Sequence, residues 1–308
     1  MGNYVDELVR AFQKCGHCLN IIDSFGKTAT QKMCALAGKT DIVFTFNATF
    51  VGMQQVKELF CREKFVTYLC DHPLFHKSRM DQLGDDCIVF TCDRRHEQYI
   101  RHYYPNIKDV FFVPLSGSVS AEKIPYQERS IDVVFTGSYQ KPETVMERLE
   151  SKFQGSLYRF AMDMKQSIVS DPAQDLEQCL KRTLNRFGIE VSDAEFAELA
   201  YEYRDIDQYA RVYYRDRMIR SLIKKRIFIH VYGNGWDEFE GEGKEYLIIE
   251  NGDPKAALSA VADAKISINI MPWFKAGFQE RIATAMLSGT VSVTDSSSYS
   301  EEHFQNGR

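Results

Sequence analysis

The sequence predicts an α/β protein built from two Rossmann-like domains, the second of which carries a helical insertion. Short runs of β-branched and aromatic residues alternate along the chain with helical patterns, which is typical of parallel strands joined by crossover helices. The length of 308 residues is sufficient for two domains of ordinary size. A long stretch without strand patterns, about 142–226, predicts the insertion.

The first predicted domain covers residues 1–128. It opens on an amphipathic helix from Val5 to Lys14, with Gly16 as the C-cap. A first strand is predicted from Cys18 to Ile22. Further strands are predicted at 41–46, 65–70, 87–91 and 110–113.

The second predicted domain covers residues 129–308. It follows a mostly polar stretch, Leu115 to Arg129, which contains Gly117 and Pro125 and predicts an interdomain linker. Its strands are predicted at 131–136, 227–231, 246–250, 266–270 and 291–293.

The insertion is predicted to contain several helices, because Asp171-Pro172 and Gly188 interrupt it and residues 192–195 form a capping box. One of these helices carries many tyrosines and arginines. We expect it to pack on the domain with its arginines solvated or paired to acids; a face that holds an acceptor or a partner protein is the alternative. These residues are Tyr201, Tyr203, Tyr209, Arg211, Tyr213, Tyr214, Arg215, Arg217 and Arg220.

Composition limits the functional classes. A net charge of −5 disfavours a general nucleic-acid binder. No apolar segment approaches the ~20 residues of a membrane span, and the N-terminus lacks a signal-peptide pattern, so a cytoplasmic location is expected. The eight cysteines are then expected to remain thiols. The motif Cys15-Gly16-His17-Cys18 follows a helix and precedes a predicted strand, which favours a helix end over a redox or zinc site.

The segment 265–295 is the most informative part of the chain. Ile266 to Ile270 alternate with period two, and Pro272 prevents the strand from continuing. A helix is predicted from about Phe278 to Ser288, with Gly289 as its C-cap. Because strand, helix and strand in succession imply a parallel pair, the loop before this helix lies at a carboxyl strand end, where backbone N–H groups suit a phosphate.

The end of this helix, Ala285-Met286-Leu287-Ser288-Gly289, resembles the donor-site motif of GT-B glycosyltransferases, in particular the family-1-like group that includes CgeB-type spore-maturation proteins. That superfamily typically carries glutamates at the positions of Ala276 and Thr284, so the carboxylate pair is absent. Chains of this kind usually continue into further helices beyond such a segment, so a fragment or a reduced variant is expected.

The resemblance implies metal-independent sugar transfer from a nucleoside-diphosphate sugar bound to the second domain, with no cofactor, to an unknown acceptor on the first, in a cleft between them. Arg281 would stabilise the leaving diphosphate, with an ion pair to Glu280 or Asp295 as the alternative. Asp205-Ile206-Asp207 is expected to be solvated and not a metal site. The expected donor contacts are Gly137, Ser138, Tyr232, Gly233, Asn234, Lys275, Gly277, Phe278, Gln279 and Glu280.

Asp71-His72-Pro73 follows a predicted strand of the first domain, and the CgeB-like group tends to carry the same three residues at this place. His72 or Asp71 would then accept the acceptor's proton, if the enzyme inverts configuration. The alternative is a loop capped by its neighbours, with Pro73 starting the next helix. Asp93 and His96 are secondary candidates.

Two other functions stay open at this stage. A sugar-nucleotide-binding or scaffolding protein with weak catalysis is compatible with the missing carboxylate pair. A GT-B-fold epimerase would act on the same donors.

Overall fold

The computed structural model describes residues 2–23, 26–250 and 252–304, with the side chains of residues 2–4 left aside. The protein is mixed α/β with two parallel sheets, which confirms the predicted class. Two compact units divide the chain, one spanning Val5–Pro114 and the other beginning at Leu115. Among the described residues, no helix has both the length and the apolar character needed to cross a bilayer.

The first unit contains a four-stranded parallel sheet in the order β1-β2-β3-β4, which is also the chain order. Its strands are β1 (Ile42–Phe46), β2 (Lys64–Leu69), β3 (Cys87–Thr91) and β4 (Val110–Phe112). Its helices are α1 (Gly2–Lys14), α2 (Ala29–Leu36), α3 (Gln54–Leu59), α4 (Lys77–Met80) and α5 (Arg94–Tyr103). The core of this unit includes the fully buried Leu69, Met80, Val89 and Ile100.

The strand predicted from Cys18 to Ile22 is wrong. No strand is formed there, and Ile21 is 63% exposed. An alternating pattern becomes a strand only when its backbone finds a partner, and none of the described strands pairs with this segment. The predicted helix end is confirmed, since Gly16 has a φ of 87° and His17 N donates to Phe12 O at 3.1 Å.

The second unit contains a five-stranded parallel sheet in the order β7-β6-β5-β8-β9. This is the strand order 3-2-1-4-5 of a doubly wound sheet, so the chain leaves the adjacent strands β5 and β8 in opposite directions. Its strands are β5 (Ile131–Thr136), β6 (Ile229–Tyr232), β7 (Leu247–Glu250), β8 (Ala264–Asn269) and β9 (Val291–Thr294). Ligands of such sheets bind at the carboxyl ends of the two strands where the order reverses.

Helices surround this second sheet and form the predicted insertion between β5 and β6. The insertion comprises α6 (Pro142–Lys152), α7 (Gly155–Ser170), α8 (Leu176–Phe187), α9 (Asp193–Glu202) and α10 (Arg204–Lys224). The other helices are α11 (Pro254–Asp263), α12 (Glu280–Leu287) and α13 (Ser298–His303). Ser192 and Glu195 form the predicted reciprocal capping box of α9, and Gly188 ends α8 with a φ of 66°.

The last helix of the insertion, α10, is also the crossover helix that leads into β6. Its residues Ile219 and Ile223 are buried in one cluster with Phe135 of β5 and Val231 of β6. The 21-residue helix also contacts α6 and α7. Because Ile219 and Ile223 of α10 are part of the core, side chains four or eight residues before Ile219 lie on the helix face that packs on the sheet.

The polar stretch predicted as a linker packs on the second unit instead. Ser118 N donates to Thr284 Oγ1 at 2.9 Å, and a Cβ atom on Gly117 would come within 2.5 Å of the backbone of α12. Arg129 is buried and donates to Ala264 O at 2.7 Å. The predicted domain boundary was 128/129, whereas the two compact units meet at Pro114 and Leu115.

Candidate functional site

Two turns meet at the carboxyl edge of the second sheet. Gly137 follows β5 and Gly233 follows β6, and Gly137 N donates to Tyr232 O at 2.7 Å. Trp236 Nε1 donates to Gly137 O at 2.8 Å. Gly233 has a φ of 153°, and a Cβ atom there would lie 2.4 Å from Gly137 O. Only glycine permits this approach, which brings the two predicted turns together.

Arg281 enters the same region from the first turn of α12, which follows the neighbouring strand β8. A Cβ atom built on Gly137 would lie 3.1 Å from Arg281 Nη1, so the guanidinium lies against the β5 turn. Within the described parts of the chain, this buried Nη1 has no hydrogen-bond partner. Arg281 therefore lies against the turn, and its Nη1 can still donate a hydrogen bond to a ligand.

The ion pair considered as an alternative for Arg281 does not form with either carboxylate. Glu280 Oε1 accepts from Thr284 Oγ1 at 2.7 Å, and Asp295 Oδ1 accepts from Met271 N at 2.7 Å. Burial raises the pKa of the Asp295 carboxyl. Both acids are thus engaged elsewhere, and the Arg281 charge is not paired within the described structure.

Two arginines of α10 reach the same place from the insertion. Arg215 Nη1 donates to Ser138 O, and its guanidinium lies 5.6 Å from the ring centroid of Phe135. Arg211, one turn earlier, donates to Asp207 Oδ2 at 2.6 Å and stacks 4.0 Å over the ring of Trp273. Three guanidinium groups from two helices thus form a cluster, in which Arg281 and Arg215 lie against the β5 turn and Arg211 lies near Arg215.

The electrostatics of this cluster indicate excess positive charge. Burial, and after it the nearby charges of Arg281 and Arg211, together lower the pKa of Arg215 to about 10. Burial also lowers the pKa of Arg281, which Glu280 opposes. Like charges held together in a partly dry environment are unfavourable unless an anion compensates them, so the arrangement is suited to binding one.

Arg211 and Arg215 were not among the predicted site residues. The sequence predicted that the arginines of this helix would be solvated or paired to acids. That is correct for Arg217, which is exposed, and for Arg220, which pairs with Asp216 at 2.7 Å. The four-residue spacing of Arg211 and Arg215 places both on one helix face, and this is the sequence feature that could have indicated a shared role.

Only some of the remaining predicted donor contacts lie near the arginine cluster. Asn234 N donates to Ser138 Oγ at 3.4 Å, so both belong to the paired turns. Gln279 is buried as the N-cap residue of α12, and its Oε1 has no partner among the described residues. Tyr232 contributes its ring to an apolar cluster with Val134.

Three predicted contacts have structural partners instead. Lys275 Nζ donates to Pro172 O in the insertion. The carbonyl of Gly277 accepts from Ser297 Oγ at 2.6 Å. Phe278 stacks on Tyr299 with ring centroids 5.1 Å apart, so this part of the loop holds α13 in place. The helix predicted from Phe278 begins at Glu280.

A cavity of about 380 Å³ opens beside Arg215, between the β5 turn and α10. Its wall is rich in hydroxyl, amide and charged groups. These belong to Ser138, Gln140, Thr144, Gln208, Arg215 and Glu238.

The predicted base lies in the first unit, directly after β2. His72 is 8% exposed, and its Nδ1 accepts from Leu74 N at 3.2 Å. Its ring lies edge-on to His96 at 4.5 Å and to Tyr99 at 4.8 Å. Because Nδ1 accepts a backbone hydrogen bond, the neutral ring carries its proton on Nε2. His72 would have to release this bond before it could accept a proton at Nδ1.

The secondary candidates have structural partners. Asp93 is buried and caps α5 by accepting from Arg95 N at 2.7 Å, and His96 is buried on the same helix. Asp207 was expected to be solvated with Asp205, which is wrong, since Asp207 is buried against Arg211.

Across the described ranges, no group of three or more His, Cys, Asp or Glu side chains is placed to hold a metal ion. The eight cysteines are free thiols, and Cys15 and Cys18 are exposed.

The sequence was compared with protein-family models and with curated proteins. No family model matches the chain, and no curated protein matches it significantly.

Proposed function

We propose that the protein is a metal-independent glycosyltransferase of the GT-B type that transfers a sugar from a nucleoside-diphosphate sugar. The observation that carries this proposal is the guanidinium of Arg281 against the Gly137 turn, whose buried Nη1 has no hydrogen-bond partner in the described chain. It lies where the strand order of the second sheet reverses, which is where doubly wound sheets bind nucleotides.

The chemistry requires positive charge at this place. The acceptor oxygen attacks the anomeric carbon, the bond from that carbon to the phosphate oxygen breaks, and the electron pair leaves with the diphosphate. Charge therefore develops on the leaving group, and a fixed guanidinium stabilises it more in the transition state than in the ground state. Arg281 is proposed for this role, because its buried Nη1 has no hydrogen-bond partner in the described chain.

The acceptor's proton must also be removed. Asp71 and His72 stay the predicted bases in this proposal. Because His72 Nδ1 already accepts from Leu74 N, we propose Asp71 as the first base to test. A loss of transfer in Asp71→Asn that exceeds the loss in His72→Gln would support this assignment.

The first test is binding of the donor. Thermal-shift measurements with UDP-, GDP-, ADP- and dTDP-sugars should identify a donor that raises the melting temperature, because a ligand of the native state stabilises it by mass action. If none of these compounds shifts the melting temperature, the donor-site proposal is wrong.

The second test is Arg281→Gln, which should lower donor-dependent transfer by about 10²–10³-fold. The ligand-free variant should be at least as stable as the wild type, because the change removes a buried charge without a partner. Arg220→Gln is the matched control, since Arg220 is paired with Asp216 and should leave transfer unchanged. An unchanged rate in Arg281→Gln would remove Arg281 from the site.

A second candidate is a protein that binds the sugar nucleotide without transferring the sugar. It is favoured by the environment of Thr284, which stands where the superfamily has a glutamate. Thr284 is buried, and its Oγ1 accepts a hydrogen bond from Ser118 N. A threonine hydroxyl thus takes the place of the carboxylate at this position of α12. Tight binding without hydrolysis or transfer would support this candidate, and interconversion of epimeric donors would indicate an epimerase.

A further inference from the structure

The helical insertion carries a positive charge to the β5 turn. Arg215 lies on α10 one turn before Ile219, which is fully buried in the core, and it donates to Ser138 O. Its position is therefore set by the packing of α10 and by the turn. The cavity of about 380 Å³ reaches Arg215, so a ligand has access to it.

The three guanidinium groups differ in how their charge is balanced. Arg211 is paired with the buried Asp207 at 2.6 Å, and its face is covered by Trp273. Arg215 and Arg281 form no ion pair with any carboxylate of the described residues. The two nearby acids do not change this. Glu280 is bonded to Thr284, and Glu238 lines the cavity without pairing with Arg215.

Hydrogen-bonding capacity is also left over on both of these side chains. Arg215 Nε and Arg281 Nη1 are buried and have no partner within the described chain. Leaving such charged donors without acceptors is costly in a folded protein. A bound anion that contacts both groups would remove this cost, and two uncompensated positive charges favour an anion that carries at least two negative charges.

We propose that Arg215 and Arg281 form a diphosphate-binding pair, so that the helical insertion is part of the donor site and selects diphosphates over monophosphates. The inference rests on the proposed function and names the ligand class of the same site. Arg215 contacts one phosphoryl group and Arg281 the other, while Arg211 supports the site through Asp207 and Trp273. A diphosphate offers a phosphoryl group to each member of the pair, whereas a monophosphate has a single phosphoryl group for both.

The test is isothermal titration calorimetry with four probes: pyrophosphate, phosphate, UDP and UMP. The wild type should bind each diphosphate more tightly than the matching monophosphate, by about 10-fold or more. Arg215→Gln should weaken diphosphate binding by about 10–100-fold and change monophosphate binding by less than about 3-fold, so the preference is lost. Arg217→Gln, an exposed arginine of the same helix, is the control and should retain the wild-type preference.

If Arg215→Gln does not fold, because Ser138 O loses its donor, Arg215→Lys provides the measurement. It keeps the charge but not the planar fork, so diphosphate affinity should fall by about 3–10-fold. An undiminished preference in either variant overturns the inference. If the wild type still binds a nucleotide sugar in that case, the proposed function stands without the pair. The opposite result is that Arg215 and Arg281 bind pyrophosphate but no sugar nucleotide raises the melting temperature. In that case the glycosyltransferase proposal is wrong and the diphosphate-binding pair stands.

Discussion

At the scale of single residues, glycine at two positions permits the contact between the β5 and β6 turns. Gly137 O accepts from Trp236 Nε1, and this oxygen is also the atom that a Cβ on Gly233 would meet. A side chain at Gly233 would therefore push the turns apart and displace the backbone against which Arg281 and Arg215 lie.

We expect Gly233→Ala to destabilise the protein by about 2–4 kcal/mol, because it combines a disfavoured backbone conformation with a backbone clash. It should also weaken pyrophosphate binding. Gly188→Ala is the matched control, since its φ of 66° is also left-handed but nothing lies within 4 Å of the added Cβ. The control should lose only about 1–2 kcal/mol. Chemical denaturation gives both values, and equal losses would contradict the steric argument.

The arginines show how little a residue's type says about its partners. One helix, α10, carries four arginines on several of its faces: Arg211, Arg215, Arg217 and Arg220. Most residues of this helix are polar or charged. The sequence alone therefore does not indicate which of them faces the sheet. Burial of Ile219 on the same helix decides it, because residues four apart share a face.

At the scale of secondary-structure elements, Arg129 links the N-terminal stretch of the second unit to the start of β8, the end of α12 and the residue before β9. Its guanidinium donates to Ala264 O and Ser288 O at 2.7 Å each, to Thr290 Oγ1 at 2.9 Å and to Ile124 O at 3.1 Å. One side chain thus joins the end of α12 to the start of β8. A cation near the last carbonyls of α12 is also favourable for the helix dipole.

We expect Arg129→Met to lower the free energy of unfolding by at least about 3 kcal/mol, because buried carbonyl acceptors lose their charged donor. Lys265→Met is the control, since Lys265 pairs with Asp132 at 2.6 Å on the surface. Because water screens an exposed pair, Lys265→Met should change the free energy of unfolding little. Urea denaturation followed by circular dichroism compares the two, and a loss in Arg129→Met as small as the control's would show that water replaces the donor.

At the scale of the whole molecule, the division at Leu115 predicts how the chain can be cut. Residues 115–308 should fold cooperatively as an isolated fragment and bind pyrophosphate. A fragment of residues 129–308, which starts at the boundary expected from the sequence, lacks the contact of Ser118 with Thr284. We expect it to be less stable by more than about 1 kcal/mol. Thermal denaturation of both fragments measures this difference, and equal melting temperatures would favour the later boundary.

The sequence by itself determined most of the strands and several helix ends of this protein. All nine strands of the described structure were predicted within a few residues, and the ends at Gly16, Gly188 and Gly289 follow from glycine's access to left-handed conformations. The capping box at Ser192 is also a local signal. These features depend on residues only a few positions apart, so their patterns are visible along the chain.

Only the tertiary structure decided which residues meet. It left Cys18 to Ile22 without a pairing partner, turned the polar stretch before Arg129 into part of the second unit, and gave His72 a backbone donor. It also reversed the strand order between β5 and β8 and brought Arg215 to Arg281, which lie 66 positions apart in the chain. These outcomes depend on packing between distant segments, and no short pattern in the sequence records that packing.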